Sequence, residues 1–96
     1  MKTIELTRKS PIGGDCSATY SVTIRKPMTI REFMKTWFEE NPNELHSDIY
    51  FEDRYVGEYA WRKLRELNDR YADVIIYNAS ACGGWGRMDF YFYDVL

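Results

Sequence analysis

The sequence predicts an α+β fold, a mostly antiparallel or mixed sheet with helices packed on one face, and three observations predict it. Two N-terminal segments alternate apolar and polar residues with the period of a half-buried strand. One later segment repeats its apolar residues at helical spacing behind a complete helix-start signal, and the C-terminal segment returns to strand alternation. The expected order is β-β-α-β-α-β-β in a single domain over residues 1–96. A chain of 96 residues, 45% hydrophobic and 17% aromatic, supplies one packed core and is too short for two domains of ordinary size.

The first strand runs from Lys2 to Arg8, with Ile4 and Leu6 set against Thr3, Glu5 and Thr7. Ser10-Pro11-Ile12-Gly13-Gly14-Asp15 interrupts the pattern. Ala18, Tyr20, Val22 and Ile24 then resume it, with Thr19, Ser21, Thr23 and Arg25 opposite, so the two segments read as a hairpin. Thr29 and Glu32 fit a capping box, and Met28 and Phe33 fit the apolar staple around it. The helix that follows carries Ile30, Phe33, Met34, Trp37 and Phe38 in one stripe and stops at Asn41-Pro42.

Beyond a polar loop, Asp48 to Glu52 reads as a strand with Ile49 and Phe51 on one side and Tyr50 on the other. From about Glu58 to Tyr71 the spacing of Ala60, Leu64, Leu67 and Tyr71 favours a helix, with a strand over Arg54 to Tyr59 as the alternative. Val74 to Ala79 is an apolar run suited to a central strand, and Ser80 to Gly84 reads as the turn into the last one.

No apolar run approaches the roughly 18 residues of a membrane span, and Met1 to Leu6 lacks the apolar stretch of a secretory signal. The chain is therefore expected in the cytoplasm, with no membrane partner and with Cys16 and Cys82 both reduced. The net charge of −2 conceals a basic first third and an acidic stretch from Glu39 to Glu58.

No catalytic constellation is legible. The single histidine, His46, sits in a polar loop with nothing in the sequence to tie it to Cys16 or Cys82. His46, Asp48, Glu52 and Asp53 match no metal-binding spacing, and Gly13-Gly14 and Gly83-Gly84 open no phosphate-binding frame. We expect no enzyme, no metal and no cofactor.

The C-terminal strand carries the functional expectation. Its residues divide by parity into an apolar set, Met88, Phe90 and Phe92, and an outer set, Trp85, Arg87, Asp89, Tyr91 and Tyr93. Two opposite charges among aromatic residues prefer water or a partner, and Trp, Tyr and Arg are enriched at binding hot spots. The outer set is thus the candidate surface of a non-enzymatic protein-interaction module, an adaptor, accessory or inhibitor protein. Single-stranded nucleic acid is the alternative ligand, bound by stacking on the same face. Gly84, Trp85, Gly86 and Phe90 fall in register with an RNA-recognition strand motif, but Gly83 and Arg87 stand where that motif needs a basic and an aromatic residue.

Over Gly83 to Phe90 the chain also resembles uncharacterised small bacterial and mobile-element proteins that end in a Gly-Gly-Trp-x-Arg-Met-Asp-aromatic strand. The resemblance implies a bacterial or phage-associated setting and an accessory role, and it transfers no catalytic residues.

Overall fold

In the computed structural model, which describes residues 3–10, 18–84 and 87–95, the helix start read from the sequence is in place. Helix α1 spans Ile30–Glu40. Thr29 caps it, its Oγ1 accepting the Glu32 N–H at 3.1 Å. Asn41 closes it, donating its backbone N–H to the Trp37 carbonyl at 2.9 Å. The predicted stripe faces inward, with Ile30, Phe33, Met34 and Trp37 all buried.

Nine strands accompany it among the described residues: β1 (Ile4–Ser10), β2 (Ala18–Ile24), β3 (Met28–Thr29), β4 (His46–Phe51), β5 (Arg54–Ala60), β6 (Lys63–Arg65), β7 (Ile75–Ile76), β8 (Asn78–Gly84) and β9 (Arg87–Tyr93). Seven form one sheet in the order β1-β2-β8-β9-β4-β5-β6, and β3 pairs with β7 beside it. Every neighbour in the large sheet is antiparallel except β4 and β9, which run parallel. The sheet is therefore mixed, within the predicted class.

The core lies between α1 and the inner face of this sheet. Phe33 meets Phe90 and Phe92 edge-on with ring centroids 4.9 and 4.7 Å apart, and Trp37 meets Phe90 at 5.1 Å. Phe90 and Phe92 are completely buried, so the even-numbered side of β9 is core, as its parity predicts.

Four expectations are corrected. The helix expected from Glu58 to Tyr71 is replaced by β5, β6 and a short helix α2 over Asp69–Ala72. Pairing overrides propensity here: Tyr55 and Tyr59 align with Tyr50 and Ser47 of β4, and a turn at Trp61 and Arg62 cuts the helical pattern in two. The element order accordingly differs from β-β-α-β-α-β-β.

The central strand expected at Val74 to Ala79 lies further on, as β8, through the stretch read as a turn. Its buried residues are Ala79, Ala81 and Cys82, small enough to escape notice as a strand core. Gly83 in the same strand pairs with Met88 and leaves no room for a side chain, since a Cβ there would collide with the Arg87 carbonyl across the ladder.

Finally, Cys82 is disulfide-bonded instead of reduced. A thiol's oxidation state follows the redox conditions around it and not the packing need of the core, so ample core material does not keep Cys82 reduced. Cys16 and Trp85 lie outside the described residues.

Three outcomes follow from this fold. Phe33→Ala removes the ring that holds both phenylalanines of β9 and is expected to cost about 3–5 kcal/mol in urea unfolding. Thr29→Ala should cost about 1 kcal/mol by the same measurement. Cys82 should resist alkylation in the native protein until a reductant is added.

Candidate functional site

Strand alternation sends Arg87, Asp89, Tyr91 and Tyr93 to the face of the sheet opposite α1. None of the four is buried, whereas the residues between them are. Register then determines their neighbours. The parallel pairing of β9 with β4 sets Tyr91 beside Tyr50 and Arg87 beside His46, and the antiparallel pairing of β4 with β5 sets Asp48 beside Glu58. On the other flank Tyr91 faces Ser80 of β8, which faces Ser21 of β2. Thr19, Ser21 and Thr23 thus extend the same face, as expected if β2 joined the sheet. Arg25, just past β2, pairs with Glu5 at 2.6 Å at its margin.

The centre of the face is a charge network that spans three strands. Arg87 donates from its terminal nitrogen to Asp48 Oδ2 at 2.5 Å and from Nε to the Asp89 carboxylate at 3.3 and 3.4 Å. Asp89 also accepts the backbone N–H of Asp48 at 2.9 Å, which ties β9 to β4 through a side chain. His46 Nε2 lies 2.9 Å from Glu58 Oε2 and 3.5 Å from Asp48 Oδ1. Ionised carboxylates only accept, so Nε2 carries a proton, and the buried Nδ1 is left without a partner. Arg65 reaches Glu58 more loosely, at 3.9 Å.

Beside the network, Tyr50 and Tyr91 stack at 4.6 Å with their planes 14° apart, and Tyr55 meets Tyr50 edge-on. Each stacked ring gives one face to the other. Tyr93 donates its hydroxyl to Asp53 at 3.1 Å. Burial, reinforced by the Asp89 carboxylate, holds Asp48 above the ordinary aspartate range, with Arg87 opposing. Burial likewise raises the Tyr50 and Tyr91 hydroxyls, so both stay protonated donors near neutrality.

His46, Asp48 and Asp89 bring one ligand atom each to within 4.8 Å of one another, a separation compatible with a shared cation. The Arg87 guanidinium already fills that role, since it bridges Asp48 and Asp89. The cluster is therefore held together by its own guanidinium, and its three carboxylates outnumber the cation that joins two of them.

Of the five residues predicted from sequence, Arg87, Asp89, Tyr91 and Tyr93 lie together on one face, and Trp85 falls outside the described residues. His46, Asp48, Tyr50 and Glu58 were missed as members of the site. The alternation around Ile49 and Phe51 already put Asp48 and Tyr50 on one side. Their apposition to β9 depends on a parallel pairing that no local pattern announces.

The network sets the pH response of stability. With its pKa raised, Asp48 binds more protons in the folded than in the unfolded chain between the ordinary value of 3.8 and its folded value. Stability at this residue is therefore lost as pH rises through that window. Asp48→Asn should flatten this decline in urea unfolding, and Arg87→Ala should extend it to higher pH. Because the Arg87 side chain is 52% exposed, its removal should cost only about 1 kcal/mol at pH 7.

No protein-family model, curated protein or solved structure matches this chain.

Proposed function

We propose that the protein is a non-enzymatic interaction module that presents its outer sheet face, around Arg87, Asp89, Tyr91 and Tyr93, to another protein, and that Trp85 takes part in the recognition. The observation that carries this reading is that both described helices pack on the inner side: α1 through Phe33 and Trp37 on β9, and α2 through Tyr71 against Phe51. The opposite side holds half-buried tyrosines and a fixed charge network among the described residues.

The chemistry of the face suggests the partner's. Asp48, Asp89 and Glu58 outnumber the cations near them, and the tyrosine hydroxyls offer donors with little rotamer entropy to lose. A partner that brings arginine or lysine side chains to the margin of the Arg87 network is favoured electrostatically, with the stacked Tyr50 and Tyr91 as the rigid apolar centre. The short resemblance over Gly83 to Phe90 agrees with an accessory protein of bacterial or mobile-element origin.

Single-stranded nucleic acid draws less support. Bases need free ring faces and a cationic groove, whereas Tyr50 and Tyr91 stack on one another beside carboxylates.

The test is affinity capture from the source cell with the intact chain and with Trp85→Ala combined with Tyr91→Ala. The altered chain is expected to unfold cooperatively but to lose a specific protein that the native chain retains. That protein should elute with salt, and its binding should weaken as pH falls through the raised pKa of Asp48. An unchanged set of partners sinks the reading, and salt-sensitive retention of labelled oligonucleotides in place of a protein would favour nucleic acid.

A further inference from the structure

A disulfide borders the outer face of the sheet. Cys82 of β8 stands opposite Asp89 of β9 and Thr19 of β2, and directly paired residues of neighbouring strands point to the same side of a sheet. Its sulfur is therefore on the outer side, while Ala79 and Ala81, opposite Phe92 and Phe90, point to the core. That sulfur is disulfide-bonded. Thr19, Ser80 and Asp89 around it are half-buried, yet Cys82 is only 7% exposed. Both described helices pack on the other side and supply none of this cover, which fits a sulfur shielded by the residue bonded to it.

The sequence holds one other cysteine, Cys16, two residues before Ala18. Ala18 stands opposite Gly83, next to Cys82. Two residues of chain span up to about 7 Å, and a disulfide joins Cα atoms about 5.5–6 Å apart. A bond between Cys16 and Cys82 is thus compatible with β2 and β8 paired as they are, and it would tie the chain entering β2 to β8 on the side that carries Asp89.

Asp89 is the residue beside which such a tie matters. Its carboxylate accepts the Asp48 N–H at 2.9 Å and the Arg87 Nε–H at 3.3 and 3.4 Å, and so it joins β9 to β4. On its other flank stands Cys82. The end of β8 there has little else to hold it, because Gly83 and Gly84 bring no side chains to pack and glycine loses the most backbone freedom on ordering. A covalent tie at Cys82 removes open states from that strand end, and its loss returns them.

We infer that Cys82 is bonded to Cys16 and that this bond is a redox latch on the outer face, an inference that rests on that face being the recognition surface. Oxidised, the latch keeps the end of β8 closed against Asp89 and the Arg87 network competent to bind. Reduction by a dithiol moves two electrons and two protons: the bond between Cys16 and Cys82 breaks into two thiols while the dithiol closes to its own disulfide. The bond lies on the side away from α1, so the exchange needs no opening of the core around Phe33 and Phe90. The freed end of β8 then frays, Asp89 loses its flank, and the network that presents Arg87 loosens.

The test uses the full chain, oxidised and after treatment with a phosphine reductant. Proteolysis without reduction should release peptides joined through Cys16 and Cys82; Cys82 linked to a second chain or to a small thiol overturns the pairing. Amide hydrogen exchange, followed residue by residue, then reads the latch. Reduction should speed exchange of the Asp48 N–H, which Asp89 holds, and of the Cys82 and Gly83 amides by about tenfold, with the amides of α1 unchanged. Cys16→Ser, which cuts the bond from its other end, should reproduce the reduced pattern. Uniform acceleration over the whole chain would make the bond a general staple, and no acceleration would make it idle; either result overturns the inference. In affinity capture the oxidised chain should hold its partner about tenfold more tightly than the reduced chain, and equal retention overturns the inference too. If neither form retains a protein, the recognition reading fails, while the exchange pattern still decides whether the latch acts on the network.

Discussion

The structure depends on the packing of Phe33 and Trp37 across Phe90 and Phe92. These rings fix which side of β9 faces α1, and because side chains alternate along a strand they fix the opposite side as well. A slip of one residue would bury Arg87, Asp89 and Tyr91 and expose both phenylalanines. Strand β9 also stands between β8 and β4, so the same contact orients the centre of the sheet and brings Asp48, Tyr50 and His46 beside it. The outer face is thus a consequence of the core.

That face combines half-buried carboxylates, one bridging guanidinium and stacked tyrosines on three adjacent strands. Burial disfavours the ionised form of Asp48 and the neighbouring Asp89 carboxylate adds to the effect, which holds Asp48 above the ordinary aspartate range. Arg87 satisfies two of them and leaves Glu58 to His46 and the distant Arg65. Such an arrangement is rigid, since its members hang from paired strands and hydrogen-bond across them, and rigidity reduces the entropy lost on recognition.

What the sequence disclosed was whatever local chemistry encodes. The Thr29 cap with Glu32, the stripe of α1, the β1 and β2 hairpin and the parity of β9 each rest on neighbours a few residues apart. What it withheld rests on distant pairing. The Glu58 to Tyr71 segment has helical spacing, but Tyr59 finds Phe38 and β4 finds β5, and these contacts outweigh propensity. The small residues of β8 concealed a central strand because alanine and glycine carry no periodic signal. Half of the candidate site was hidden for the same reason: β4 and β9 are parallel neighbours far apart in the chain, and charge in a polar stretch gave no indication that Asp48 and Glu58 share a face.

The central claim is that one side of β9 serves the core and the other serves a partner. Hydroxyl-radical footprinting of the full chain, free and in its captured complex, reads both sides at once. The account predicts that Tyr91 and Tyr93 are modified in the free protein and protected in the complex, while Phe90 and Phe92 remain unmodified in both. Modification of Phe90 and Phe92 in the folded chain, or tyrosines equally reactive with and without the partner, would contradict it.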